Sequence, residues 1–156
     1  MEFERPWSPG DTSESEDAHL EAYHEQRGGL LLVEVNVAYP VTGSRQRRLD
    51  GILFPNPPQN RDGEAYHYTS SNRPLIRELI QSRTAELIEV HSWGFYGFGQ
   101  IVGKAHIVQD EWNPADIRKV FIPDNNARGP YYPDENPDPA TEKVFDDFGV
   151  DVVVVK

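Results

Sequence analysis

Three apolar runs in this sequence each carry a carboxylate in their interior: Glu34 in Leu31-Leu32-Val33-Glu34-Val35, Asp50 in Leu49-Asp50-Gly51-Ile52-Leu53-Phe54, and Glu89 in Leu87-Ile88-Glu89-Val90-His91. Charged side chains sit in such runs when they face solvent, are paired, or bind a metal. Side chains alternate across a strand, so Glu89 and His91 share one face while Ile88 and Val90 share the other. By the same rule Arg48, Asp50 and Ile52 share a face. Two carboxylates on neighbouring strands suit a hard divalent cation, because Mg²⁺ takes one or two protein carboxylates, keeps several waters and leaves positions for phosphate oxygens. Chemistry of that kind is metal-assisted cleavage of a phosphodiester. His91 then either orients the attacking water as a base, since an ordinary histidine titrates at about 6.5, or adds a ligand that favours Mn²⁺ over Mg²⁺. Plainer readings stand beside these: Asp50 paired with Arg47 or Arg48, Glu89 and His91 as a polar stripe or a structural pair, Glu34 facing water.

Other residue groups point the same way more weakly. Arg45, Arg47 and Arg48 form a basic cluster that either grips phosphates or offsets an acidic surface. Trp93, Phe95, Tyr96 and Phe98, threaded with glycines, either stack on unpaired bases or pack as a turn over the core. Gln100 and Lys104 are one helical turn apart, which puts them on one side of a helix, most simply an exposed one. His19 and His24 are five residues apart, a poor spacing for two zinc ligands on one face. The acidic, proline-rich loop at 134–138 has the composition of a calcium loop without its ordered ligand spacing.

Positioning these residues requires strands and helices in alternation. Helix formers fill 16–26, with Leu20, Tyr23 and His24 on one face and Gly28-Gly29 as the stop. Residues 30–39 and 47–54 read as two strands joined by turn chemistry at 40–44, a β-hairpin. The proline- and asparagine-rich stretch 55–72 has no apolar period and reads as an insertion. Leu75, Ile76, Leu79 and Ile80 give 73–83 the stripe of a helix. A buried strand over 85–93, a glycine turn at 94–99, a helix over 100–108, a short strand over 118–122, a proline-rich loop, a helix around 141–148 and a strand over 150–155 complete the chain. The expected fold is α/β, a single three-layer domain with a mixed central β-sheet flanked by helices.

Composition sets the outer limits. A chain of 156 residues, 37% hydrophobic, is the size of one domain with a modest core. The serine-rich acidic segment 1–17 reads as a flexible arm and 18–156 as the domain. With no cysteine, disulfides, thiolate metal sites and thiol nucleophiles are excluded. No apolar run approaches the ~20 residues that span a bilayer, and the first residues lack the basic and apolar regions of a secretory signal, so the expected location is cytoplasmic, with no membrane partner. A formal net charge of −11 fits a halophilic host and opposes nucleic-acid binding unless a basic patch or divalent cations screen the phosphates.

Taken in order, Arg47-Arg48-Leu49-Asp50-Gly51-Ile52-Leu53-Phe54, Leu87-Ile88-Glu89-Val90-His91, Gly99-Gln100-Ile101-Val102-Gly103-Lys104 and the closing Phe148-Gly149-Val150-Asp151 resemble the PD-(D/E)XK nuclease superfamily, whose core is restriction-endonuclease-like. In that family an Asp opens the second core strand, a Glu-x-Lys lies on the third, and a following helix packs against the site. The resemblance implies a divalent-metal-dependent nuclease or nuclease subunit, acting on DNA in preference to RNA, with Mg²⁺ or Mn²⁺ as cofactor. Asp50 and Glu89 would be the metal ligands, Gln100 a helix residue of the site, and Glu21 the acidic residue of the first helix. His91 occupies the lysine position; family members replace this lysine, and some move it to the following helix, where Lys104 lies. The alternative is a catalytically inactive module with this fold, used for protein binding or assembly, including as a homodimer.

Overall fold

The computed structural model describes residues 15–38, 47–124 and 139–155. Its elements follow one another as α1 (Ser15–Arg27), β1 (Leu30–Asn36), β2 (Arg48–Phe54), β3 (Ala65–His67), α2 (Arg73–Ser82), β4 (Thr84–His91), α3 (Phe95–Glu111), β5 (Asp116–Pro123), α4 (Pro139–Asp147) and β6 (Val150–Val152). The six strands form one mixed sheet in the order β3-β1-β2-β4-β5-β6. β2 is antiparallel to both of its neighbours, β1 and β4, β3 runs parallel to β1, and β5 and β6 run parallel to β4 and β5 in turn.

Strand alternation divides the core into two layers of side chains. Leu32, Ile52, Leu87 and Phe121 face one way and pack with Ile76 and Ile80 of α2, Ile101, Ala105 and Val108 of α3, and Phe145 of α4. Leu31, Val33, Leu53, Ile88, Val90, Val120 and Ile122 face the other way and pack with Leu20 and Tyr23 of α1. The described residues therefore form an α/β domain of three layers, one helix on one face of the sheet and three on the other. The junction from α1 into β1 is tight. Gly29 has φ of 83°, and a Cβ there would lie 2.4 Å from the Phe54 carbonyl oxygen, so only glycine lets the two backbones approach.

The structure departs from the sequence expectations in a few places. The insertion 55–72 contains a strand, β3, whose three residues have no periodicity of their own and are held by pairing with Leu31, Leu32 and Val33. α3 begins at Phe95, not at 100. Aromatic residues and glycines are poor helix formers, but Gly97 lies flush against the sheet, where a Cβ would stand 2.3 Å from Phe121 Cε2, and that seating extends the helix through the glycine turn. β6 ends at Val152 and β1 at Asn36, both short of the spans expected. α1 begins at Ser15, so the last residues of the segment read as an arm are its first turn. The hairpin turn at 40–44, the loop at 134–138 and residues 1–14 lie outside the described residues.

Candidate functional site

The β2–β4 ladder pairs Gly51 with Ile88, which sets Asp50 directly opposite Glu89. On the other side of β2, Val33 pairs with Gly51 and Val35 with Leu49, which sets Glu34 opposite Asp50. Glu34, Asp50 and Glu89 thus form one row across three adjacent strands. The row is also where strand alternation breaks. Val33 and Gly51 face α1, whereas Val35 and Leu49, two residues along, pack with the opposite layer. Glu34 absorbs part of this change with φ of 54°, an uncommon conformation for a residue with a Cβ.

Each carboxyl has specific partners. Asp50 Oδ2 accepts a hydrogen bond from the Val90 backbone N–H at 2.7 Å. Glu89 is 3% exposed, and its Oε1 accepts from Lys104 Nζ at 2.6 Å. That pair is nearly desolvated, with the lysine and glutamate side chains 13% and 4% exposed. From the first turn of α1, Glu16 reaches Asp50. Burial, then the charge of Glu89 and a hydrogen bond to it, pushes the Asp50 carboxyl up to about 8, while the Val90 bond works in the opposite direction. Burial, then Asp50, pushes Glu16 up to about 8 as well. Burial also raises Glu89, against the lowering effect of Asp50 and Lys104.

Asp50 thus lies between Glu89 and Glu16 as a hydrogen-bonding partner of both, and all three carboxyls are raised above their ordinary range, burial being the largest cause in each. No family model, no curated protein and no solved structure matches this chain.

Several residues singled out by sequence stand elsewhere. His91 hydrogen-bonds through Nδ1 with the Ser92 carbonyl at 3.3 Å, and its ring lies 4.9 Å from that of Tyr96. Its position at the last residue of β4, where the chain turns into α3, engages it with the turn. Gln100 is partly buried one turn before Lys104 on α3. Arg47 and Arg48 are exposed at the start of β2, and Arg45 lies outside the described residues. The α1 carboxylate that meets Asp50 is Glu16, not Glu21, because Glu16 precedes the core-facing Leu20 and Tyr23 by four and seven residues, whereas Glu21 is rotated off that stripe. Trp93 and Phe98 pack on Phe145 with ring centroids 4.6 and 5.0 Å apart, whereas Phe95 and Tyr96 are exposed.

Sequence reading missed two pairs nearby. His67 Nε2 lies 2.8 Å from Glu34 Oε2, a contact that exists only because β3 joins the sheet. His19, buried on α1, faces Asp124 at 4.0 Å. His19 is one turn from Glu16, and that spacing was the one available signal.

Neighbouring carboxylate oxygens are donors of the type a hard divalent cation takes, but among the described residues no group of three or more His, Asp or Glu side chains is placed to hold a metal ion. Among the described residues no helix is long and apolar enough to cross a membrane.

Proposed function

We propose that this protein is a divalent-metal-dependent nuclease, with DNA as the substrate, built on a PD-(D/E)XK-like core. The observation that carries the reading is the contact of Lys104 with Glu89 directly across from Asp50. An Asp on the second strand of an antiparallel meander, a Glu on the third, and a lysine from the helix that follows support this reading, since some members of that family carry their lysine on the helix.

In this reading Asp50 and Glu89 would hold Mg²⁺ or Mn²⁺, which would supply acidification of water and offset charge on the phosphate. Lys104 keeps Glu89 ionised and presents positive charge beside the reacting phosphate. Glu16 supplies a further oxygen at the open end of the pair. Val90 N–H fixes the Asp50 rotamer. Arg47 and Arg48, exposed at the start of the strand that carries Asp50, would grip the phosphate backbone. Titration calorimetry with Mg²⁺ and Mn²⁺, beside a plasmid-nicking assay, tests this on the wild type, Asp50→Ala and Glu89→Ala. Binding and nicking by the wild type alone support it; identical behaviour of all three proteins ends it.

A second reading is a module with this fold that serves assembly. Phe95, Tyr96 and Phe148 favour it, at 60%, 69% and 55% exposed, because large apolar side chains on a surface often mark an interface. Sedimentation of the wild type and of Phe95→Ser/Tyr96→Ser distinguishes it: a monomeric wild type with nicking activity leaves this reading without support.

A further inference from the structure

The sheet ends on β6, and among the described residues no strand pairs with its outer side. On its inner side the Val153 N–H donates to the Phe121 carbonyl at 2.9 Å. Backbone groups alternate in direction along a strand, so Val150 and Val152 turn their N–H and C=O groups away from β5. Such an edge is a template for another strand. We propose that β6 is a docking site for an extended peptide that joins the sheet as a further strand, with basic side chains on one face and an acidic one on the other.

A groove opens on each face of the sheet beside β6, and Asp151 lines both. Side chains of an added strand alternate between the two faces. The groove on the α4 side, about 400 Å³, is bounded by Glu142, Lys143 and Asp146. Lys143 pairs with Asp147 at 2.9 Å, so Glu142 and Asp146, both exposed, make this groove acidic. It suits a lysine or an arginine. The groove on the α1 side, about 290 Å³, carries the side chains of Arg27 and Arg118, 39% and 51% exposed, beside Val120 and Val153. Each guanidinium has five N–H donors, and these two share the buried Glu86, with Asp151 taken by Arg118 alone. The surplus donors suit a carboxylate.

Recognition then divides in two. Main-chain bonds to Val150 and Val152 hold an extended backbone, and the two grooves select its side chains. A second copy of this chain is the poorer occupant. Two β6 edges meeting about a two-fold axis normal to the sheet would bring the Glu142, Asp146 and Asp151 side chains of both copies together, and facing like charges oppose association. A basic segment instead gains from the field of a chain whose formal net charge is −11. This inference does not depend on the nuclease reading, since β5 separates β6 from the strand that carries Glu89.

Fluorescence anisotropy of the labelled peptide Lys-Val-Val-Glu-Lys-Val with the full chain tests this, because alternation sends both lysines to one face and the glutamate to the other. The wild type should bind it saturably, with a Kd below about 1 mM. Methylating the peptide's backbone nitrogens should abolish binding, since the N–H groups that pair with β6 are then gone. The peptide Lys-Val-Glu-Val-Lys-Val has the same composition with every charge on one face, and it should bind roughly tenfold more weakly. Glu142→Lys/Asp146→Lys, at two exposed positions, should weaken the first peptide by a similar factor with an unchanged melting temperature. A wild type that does not bind, equal binding of the methylated peptide, or equal binding of the two sequences overturns the inference. So does sedimentation of the wild type as a dimer that the peptide fails to dissociate, which would give the edge to a second copy.

Discussion

Asp50 and Glu89 face each other across the antiparallel β2–β4 ladder, and their carboxyls are hydrogen-bonding partners. Two buried carboxyls this close cannot both be charged unless a cation or a proton lies between them. Burial and the charge of Glu89 push the Asp50 carboxyl up to about 8, and that shift has a measurable cost.

Asp50→Asn removes one charge from the pair and keeps the shape. In metal-free buffer at pH 8.5 it should unfold later than wild type, by roughly 1–2 kcal/mol. Mg²⁺ should then raise the melting temperature of the wild type and leave that of Asp50→Asn unchanged. Thermal unfolding with and without Mg²⁺ checks both; a variant less stable than wild type in metal-free buffer would contradict the repulsion.

The pH dependence has a definite sign. In the unfolded chain Asp50 and Glu16 titrate at about 4, and in the folded protein both are pushed up to about 8. Between those values the folded state binds protons that the unfolded state has lost, so stability falls as pH rises through the window. Chemical denaturation of wild type from about pH 5 to 9 without metal should show this slope relative to Asp50→Asn/Glu16→Gln. A double variant with the same pH profile as wild type would sink the assignment.

Lys104 is the counter-charge of a nearly desolvated carboxylate. Lys104→Met leaves Glu89 buried without its cation, and breaking such a pair costs roughly 3 kcal/mol. Urea unfolding at neutral pH should report that loss, and the plasmid-nicking rate should fall with it even where Mg²⁺ still binds. Lys104→Arg should restore stability more fully than activity, because the guanidinium is wider than the ammonium.

Glu86 tests whether the other buried carboxylate is purely structural. It is 1% exposed and accepts hydrogen bonds from the Tyr23 hydroxyl at 2.6 Å and from the Arg27 guanidinium, with Arg118 at 3.5 Å. These bonds pin α1 to β4 and β5 and raise the Tyr23 phenol above its ordinary range, burial being the largest cause. Glu86→Ala strands the tyrosine and two arginines and should cost about 3 kcal/mol. Its Mg²⁺ affinity, measured below its unfolding transition, should match wild type; a large drop would place Glu86 in the site.

Gly97 carries the seating of α3. Gly97→Ala sets a methyl against the Phe121 ring and His91 Cβ and should destabilise the fold by about 1–3 kcal/mol. Calorimetric unfolding checks this, and Gly99→Ala, whose Cβ would meet nothing within 4 Å, is its control.

The sequence by itself determined the layers. Apolar runs bounded by glycine and proline marked the strands, the Leu75 to Ile80 stripe marked α2, and alternation put Asp50 and Glu89 inside buried strands. These are local signals, written in neighbouring residues. The partners of the two carboxylates were not local. Lys104 and His91 were both plausible companions of Glu89 along the chain, and only the seating of α3 through Gly97 gave Glu89 to Lys104 and His91 to Tyr96. Glu16 and Glu21 belong to one helix, and the rotation that buries Leu20 and Tyr23 decided which met Asp50. His67 reached Glu34 because three residues with no pattern of their own completed a ladder whose other side was already formed. Hydrogen bonding between distant backbones supplied that order, and no window of sequence contains it.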